Sequence, residues 1–189
     1  MSVMALMRQR LKPVVAAAAL FLTATLPSAA QDSDLADLFE ALRNADPAGA
    51  RAIEQRIVRE WAQTGSPSLD LLMQRGREAL EEQDLPVAIE HLTALIDHAP
   101  GLAHPYSLRA NAYFLADMYG PALDDLGSAL ARDPMHFEAL TGLAAMMEEL
   151  GYPEDALTVS REIEAIHPLR EGLTETIDRL ERQVEGSAL

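Results

Sequence analysis

Five histidines are the residues of this chain best suited to bind a metal or to move a proton. They are His91, His98, His104, His136 and His167. No two of them stand four residues apart, the spacing that puts two ligands on one face of a helix. His98 and His104 flank one turn and could meet at a metal. We favour the alternative of independent surface or capping histidines, and we expect no metal and no cofactor.

Other residue types that carry catalysis do not occur in recognisable patterns. The 189 residues include no cysteine, which excludes disulfides, thiolate ligands and thiol nucleophiles. The sequence contains no G-x-S-x-G motif, no glycine-rich phosphate loop and no H-E-x-x-H motif. We therefore expect a protein that is not an enzyme. The net charge of -15 would repel a phosphate backbone, so nucleic acid is not an expected partner.

The first 30 residues differ in charge from the rest of the chain. They contain Arg8, Arg10 and Lys12 and no acidic residue, followed by an apolar run over 14–26 and small residues over 28–30. This order predicts a secretory signal peptide over residues 1–30, cleaved after Ala30. An uncleaved anchor is the alternative, but a span needs about 20 apolar residues. Lysine is nearly absent and alanine is abundant, which suggests GC-rich coding and a bacterial source. We therefore expect a periplasmic or secreted protein. Its only expected contact with a membrane is through the leader while the leader is uncleaved.

Four series of residues recur every 34 positions. They are Pro100, Pro134 and Pro168; Ala88, Ala122 and Ala156; Gly76, Ala110 and Ala144; and Leu72, Tyr106 and Leu140. Within each period the apolar residues follow helical spacings of three and four. A break such as Gly120-Pro121 divides each period, with the glycine relaxing the loop. The pattern predicts stacked units of two short antiparallel helices.

This unit resembles the tetratricopeptide repeat (TPR) family. The match consists of a bulky residue, a small residue, an aromatic residue, a second small residue and a terminal proline within 34 positions. Residues 103–136 carry it most fully, through Tyr106, Ala110, Tyr113, Ala122, Ala129 and Pro134. Residues 69–102 and 137–170 carry it with fewer aromatics. The resemblance implies an all-α TPR-like solenoid of antiparallel helix pairs.

Helical patterns also flank the three repeats. Residues 31–68 show two apolar stripes joined at Asp46-Pro47, an N-cap with a first-turn proline. We interpret them as an N-terminal helical hairpin that is either a degenerate repeat or a cap of the array. Trp61 is expected to pack in the core rather than to hold a ligand. Residues 171–189 are expected to form a C-terminal capping helix and tail, for about nine helices in the mature chain.

The resemblance also implies where a partner binds. TPR arrays usually hold extended peptides or helices on the concave face formed by the first helix of each repeat. On this sequence that face carries the predicted peptide-binding groove: Met73, Arg77, Ser107, Asn111, Phe114, Thr141 and Glu148. Asn111 stands where family members often bond a ligand's backbone amide, although an ordinary surface amide is the alternative. Arg77 is a candidate partner for a ligand carboxylate unless Glu81, one turn later, pairs with it.

Two other features of the sequence bear on partner binding. The clamp that some TPR domains use for a chaperone's terminal carboxylate is excluded, because Arg77 and Asn111 alone do not supply its cationic and amide groups. Acidic residues gather at the turn inside each unit and form either a solvated edge or an interface for a basic partner. They are Glu81, Glu82, Asp84, Asp117, Glu148, Glu149, Glu154 and Asp155.

These observations favour a non-catalytic protein-protein interaction or assembly scaffold in the bacterial cell envelope. The expected partner is a protein or peptide bound as an extended segment or helix on the concave face. Two alternatives stay open. One is an oligomerising structural spacer whose groove is filled by its own termini, and the other is an accessory subunit that positions a separate envelope enzyme.

Overall fold

The computed structural model of the protein describes residues 28–187, with side chains described over 34–186. Contacts between Cα atoms divide the chain into two units, Met1–Asp34 and Leu35–Leu189. Of the first unit, the structure describes only residues 28–34, which are helical. Most of the predicted signal peptide therefore lies outside the described residues, and its cleavage stays a prediction.

Nine α-helices make up residues 28–187, and this part of the chain contains no strand. They are α1 Ser28–Arg43, α2 Pro47–Trp61, α3 Pro67–Glu81, α4 Leu85–His98, α5 His104–Leu115, α6 Tyr119–Arg132, α7 Phe137–Glu149, α8 Pro153–Ile166 and α9 Leu173–Ser187. The predicted all-α fold is confirmed. None of these described helices is both long and apolar enough to cross a membrane.

Helices α3 to α8 form three hairpins, and the turns inside these hairpins share one backbone geometry. In each turn a backbone N–H donates at 2.8 Å to the carbonyl five residues earlier: Asp84 to Ala79, Met118 to Tyr113 and Tyr152 to Met147. The residue before each donor has a positive φ: 60° at Gln83, 57° at Asp117 and 78° at Gly151. This pattern is the Schellman end of a helix, and only Gly151 adopts it without placing a Cβ in the left-handed region.

Gly120 does not relax the turn of the second hairpin, so that expectation was wrong. Gly120 lies in the first turn of α6, and Asp117 takes the left-handed conformation instead. The turn ends before the Gly-Pro dipeptide, so Pro121 lies in the first turn of α6. A proline is tolerated there, since its missing N–H costs no hydrogen bond.

Small residues on the 34-residue period allow the helices to approach closely. A Cβ on Gly76 of α3 would lie 2.7 Å from the Leu92 side chain of α4. Ala88, Ala122 and Ala156 open the second helix of each hairpin and are fully buried. Close packing of this kind leaves no room for one added methyl group.

A buried ion pair fixes α5 against its neighbours. The Arg109 guanidinium donates two hydrogen bonds to the Asp125 carboxylate of α6, at 2.7 and 2.8 Å, and a third to the Thr93 hydroxyl of α4 at 2.9 Å. The bidentate bonds join the two helices of the second repeat, and the bond to Thr93 joins that repeat to the first. It also sets the orientation of α5, which carries most of the candidate site.

Helix α9 packs on the last repeat. In α9, Leu173, Ile177 and Leu180 are buried against α8. Asp46 caps α2 by accepting a hydrogen bond from the Gly49 N–H at 2.7 Å, as the sequence suggested.

Candidate binding face

The side of the repeats formed by α3, α5 and α7, here the first-helix face, contains an open groove of about 340 Å³. Four predicted groove residues line it: Ser107, Asn111, Phe114 and Thr141. Asn111 is exposed, and its amide makes no hydrogen bond within residues 34–186. The Thr141 hydroxyl donates to the Phe137 carbonyl at 2.7 Å, which leaves only its lone pairs for a ligand. These four residues, with the exposed Ala145, are the open half of the face.

Met73 and Arg77 lie on α3, beside a separate cavity. Met73 is 2% exposed, so it serves the core and offers little surface to a partner. Arg77 is half-buried, and no carboxylate lies within ion-pair distance of it among the described residues. The pairing with Glu81 that the sequence allowed does not form.

Glu148 is not free to meet a ligand in the open groove. Both of its carboxylate oxygens accept hydrogen bonds from the Arg179 guanidinium of α9. The capping helix therefore neutralises this residue, and sequence spacing could not reveal it because 31 positions separate the two. Glu148 borders a smaller cavity at the α9 side instead.

The first turns of α5 and α7 are covered by the N-terminal hairpin, defined here as residues 35–61. The Trp61 indole stacks on the His136 ring with centroids 3.9 Å apart and planes 11° apart. The centroid of the Phe137 ring lies 4.8 Å from that of the same indole and 6.4 Å from that of the Phe39 ring. His104, His136 and Phe137 form the covered half of the face. Trp61 is thus a packed residue, 8% exposed.

Polar contacts hold the other end of α2 to the loop before α9. The Glu54 carboxylate accepts a hydrogen bond from Arg170 at 3.0 Å and lies 3.3 Å from His167 Nε2. The His167 ring, followed by Arg170, holds the pKa of Glu54 below its usual value. Arg170 also lies 4.9 Å above the Phe137 ring and borders the open groove. This arginine therefore connects the covered half to the open half.

The placement of the hairpin corrects the sequence-based interpretation. Residues 31–68 were expected to extend the array as a degenerate repeat or a cap. Instead, residues 35–61 reach the second and third repeats and lie against their first-helix face. The apolar stripe through Ile57 and Trp61 predicted a buried side but could not identify the surface that buries it.

Three histidines are buried, so the expected surface position is wrong for them, although one of them has the capping role that was the other expectation. His104, His136 and His167 are at most 2% exposed, whereas His98 is exposed and does not meet His104. His136 Nδ1 accepts the Ala139 N–H at 3.1 Å and so caps α7. Its neutral ring must then carry the proton on Nε2, which points at His104 Nδ1 over 3.2 Å. Burial lowers the pKa of both His104 and His136 to about 3.

One cluster in residues 34–186 has the residue types and proximity of a metal site. The ligand atoms of His104, His136 and Glu138 all lie within 4.8 Å of one another. A metal would need the Nε2 lone pair of His136, but the capping bond to Ala139 places the proton on that nitrogen. The proton on His136 Nε2, which forms the hydrogen bond to His104 Nδ1, therefore occupies the position that a metal would take.

This architecture places the protein in a class. Hairpins of two helices recur every 34 residues, share one turn geometry and pack side by side, which defines an α-solenoid repeat protein. The first helix of each unit forms one continuous face that carries the open groove.

Comparison with known proteins identifies the family. No family model matches the chain. A TPR repeat-containing protein of Rhizobium etli is 31% identical over 154 residues, 81% of this chain and 76% of that protein. Small glutamine-rich tetratricopeptide repeat-containing protein 2 of Saccharomyces cerevisiae is 32% identical over 114 residues, 60% of this chain and 33% of that protein. The chain belongs to the tetratricopeptide repeat family.

A solved structure supports the same fold. The first TPR of Spaghetti, bound to an HSP90 peptide, has a TM-score of 0.59 with this chain at 20% identity. The match covers 62% of this chain and 95% of that one.

Proposed function

We propose that the protein is a non-catalytic interaction module that binds a protein or peptide partner in the open half of the first-helix face. The observation that carries this proposal is Asn111, an exposed amide that makes no hydrogen bond among the described residues, in a groove that Phe114 makes partly apolar. Such an amide can donate to and accept from a ligand's main chain at once. The HSP90 peptide bound to the first TPR of Spaghetti shows that this fold can hold a peptide.

We further propose that the partner belongs to the bacterial envelope. The basic, apolar and small-residue segments of residues 1–30 support export and cleavage after Ala30. N-terminal sequencing of the mature protein from a soluble envelope fraction should begin at Gln31. A chain that begins at Met1 and sediments with membranes would contradict this part of the proposal.

Site-specific photocrosslinking in intact cells tests the binding surface. A photoreactive residue at Ala145, which is exposed in the open groove, should capture a partner that mass spectrometry can identify. The same group at Thr158, which is exposed on α8, serves as the matched control. Capture at position 158 but not at 145 would move recognition away from the first-helix face.

A structural spacer is the second candidate, and the covered half favours it. The first-helix face is partly covered by the chain's own N-terminal hairpin, which residues 62–66 join to α3. Exchange of this hairpin between two copies would give a swapped dimer. Sedimentation over a range of concentrations separates the candidates, since a spacer self-associates and an interaction module stays monomeric until its partner is added.

A further inference from the structure

The side of α2 that meets the first-helix face has the spacing of a helix-in-groove ligand. Glu54, Ile57 and Trp61 stand at positions i, i+3 and i+7, so they project from one side over two turns. Ile57 is fully buried and Trp61 nearly so. Arg56 and Arg59, on other sides of the helix, are exposed.

The first-helix face offers a matching site for each end of this pattern. His136 and Phe137 form a neutral aromatic surface for the indole, and Arg170 with His167 receives the carboxylate. Seven residues of helix span roughly 10 Å, which sets the distance between these two sites. The face therefore recognises a ring and a carboxylate at a fixed separation.

The contact between hairpin and face belongs to the same buried apolar cluster as the repeats, but it includes polar groups without partners among the described residues. A solvent-open depression of about 500 Å³ lies beside α2 and is bordered by Arg77 and Glu171. The Arg51–Glu171 pair that borders it has side chains 72% and 86% exposed. Trp61 Nε1 and His104 Nε2 are buried without hydrogen-bond partners in residues 34–186. Interfaces with such unpaired groups and open spaces are weaker than their area suggests.

The indole nitrogen has a polar neighbour that it does not reach. Burial raises the pKa of the Asp133 carboxyl, and the nearby Trp61 side chain lowers that pKa by a smaller amount. The Asp133 carboxylate accepts the Met135 N–H at 2.9 Å, and within residues 34–186 the indole N–H meets the hydrogen-bond geometry with no acceptor.

We propose that residues 35–61 are an intramolecular ligand of the first-helix face, displaced by a partner helix that carries a carboxylate and an aromatic ring seven residues apart. The proposal rests on the interaction function above and specifies the chemistry of the partner. Arg170 couples the two events, because it binds Glu54 and also borders the groove that contains Asn111. A partner that uses both halves of the face must therefore compete with the hairpin.

The experiment uses the full chain and a fluorescent synthetic peptide with the sequence of residues 35–61. Ile57→Asp in the full chain should release the internal hairpin, because Ile57 is buried at the contact. The peptide should bind this variant at least tenfold more tightly than it binds the wild-type chain. Peptides with Glu54→Gln or Trp61→Ala should lose at least tenfold in affinity, and the matched control peptide with Arg56→Ala should not.

Hydrogen exchange of the wild-type chain provides a second measurement if Ile57→Asp unfolds the array. The amides of α2 should exchange at least tenfold faster than those of α7, since an intramolecular ligand opens without global unfolding. Equal protection of α2 and α7, or equal peptide affinity for both chains, would overturn the proposal. Capture at Ala145 with no peptide binding would leave the interaction function intact and remove only the internal ligand.

Discussion

The covered and open halves of the first-helix face are made by the same two helices but differ in chemistry. In the first turns of α5 and α7, His104, His136 and Phe137 are bulky, buried and neutral. One to two turns later, Asn111 and Thr141 are smaller, polar and accessible to solvent. The two histidines and Phe137 lie where the hairpin covers the helices, whereas Asn111 and Thr141 line the groove that the described residues leave open. The comparison indicates that the covered half suits the chain's own hairpin and that the open half suits a separate partner.

The largest expected effect comes from removing a ring in the covered half. Phe137→Ala should lower the free energy of unfolding by about 3–5 kcal/mol, because the ring is fully buried and contacts Phe39 and Trp61. Phe114→Ala in the open half is the matched control and should cost about 1 kcal/mol, since Phe114 is only half-buried. Urea unfolding measures both. Equal losses would mean that the two halves are equally part of the core.

Acid should destabilise the covered half through its histidines. Burial holds the pKa of His104 and of His136 at about 3 in the folded chain, against 6.5 for an ordinary histidine. Below about pH 6.5 the unfolded chain therefore takes up protons that the folded chain refuses, and stability falls as pH falls. Between pH 7 and pH 5 the loss should reach up to about 2 kcal/mol for each histidine.

Other charged groups face the pair and set the useful pH range. Burial raises the pKa of Glu138, which lies 3.6 Å from His104, and Arg77 and Arg170 add positive charge nearby. Protonation of such carboxyls would partly offset the histidine effect at lower pH, so pH 5–7 is the cleaner window. Thermal unfolding of His136→Asn, which can still cap α7, should depend less on pH. His98→Asn, at an exposed position, should retain the wild-type slope.

Breaking the polar attachment of α2 should have a smaller effect. Arg170→Gln removes the ion pair with Glu54, in which the arginine is 19% exposed and the glutamate 29% exposed. This loss should destabilise the hairpin by about 1 kcal/mol. Trp61 is the only tryptophan, so its emission should shift to the red as the hairpin opens. Arg51→Gln breaks an exposed pair with Glu171 and should leave the emission unchanged. Identical spectra for both variants would show that Glu54 does not anchor the helix.

The smallest effect concerns the repeat framework beneath both halves. Gln83→Gly should stabilise the chain by about 0.5 kcal/mol, because glycine adopts the left-handed turn without a Cβ. Gly151→Ala at the same position of the third hairpin should destabilise it by about 1 kcal/mol. Melting temperatures that move in the same direction would argue against a shared turn geometry.

The sequence contained most of the information that builds the repeats. Pro100, Pro134 and Pro168, with the buried alanines 34 residues apart, predicted helix pairs because helix ends and close contacts are local requirements. The TPR resemblance implied the open half, and helical spacing agrees with it because Ser107, Asn111 and Phe114 occupy one side of a single helix.

The covered half could not be predicted because its contacts are distant in sequence. The stripe ending at Trp61 showed that α2 buries one side, but the partner surface begins more than 40 residues later. His136 was expected to be a surface or capping histidine; it caps α7 through the bond from Ala139, but the sequence did not show that Trp61 stacks on it and buries it. Glu148 was placed in the groove because nothing local reveals its pairing with Arg179 of α9.

The affinity of the photocaptured partner for Asn111→Ala tests the central claim most directly. The amide is solvated in the free chain, so the variant should keep the wild-type melting temperature while its partner Kd rises about five- to thirtyfold, equivalent to about 1–2 kcal/mol. A wild-type Kd for Asn111→Ala, measured by calorimetry on a variant that remains fully folded, would contradict binding at the open half of the first-helix face.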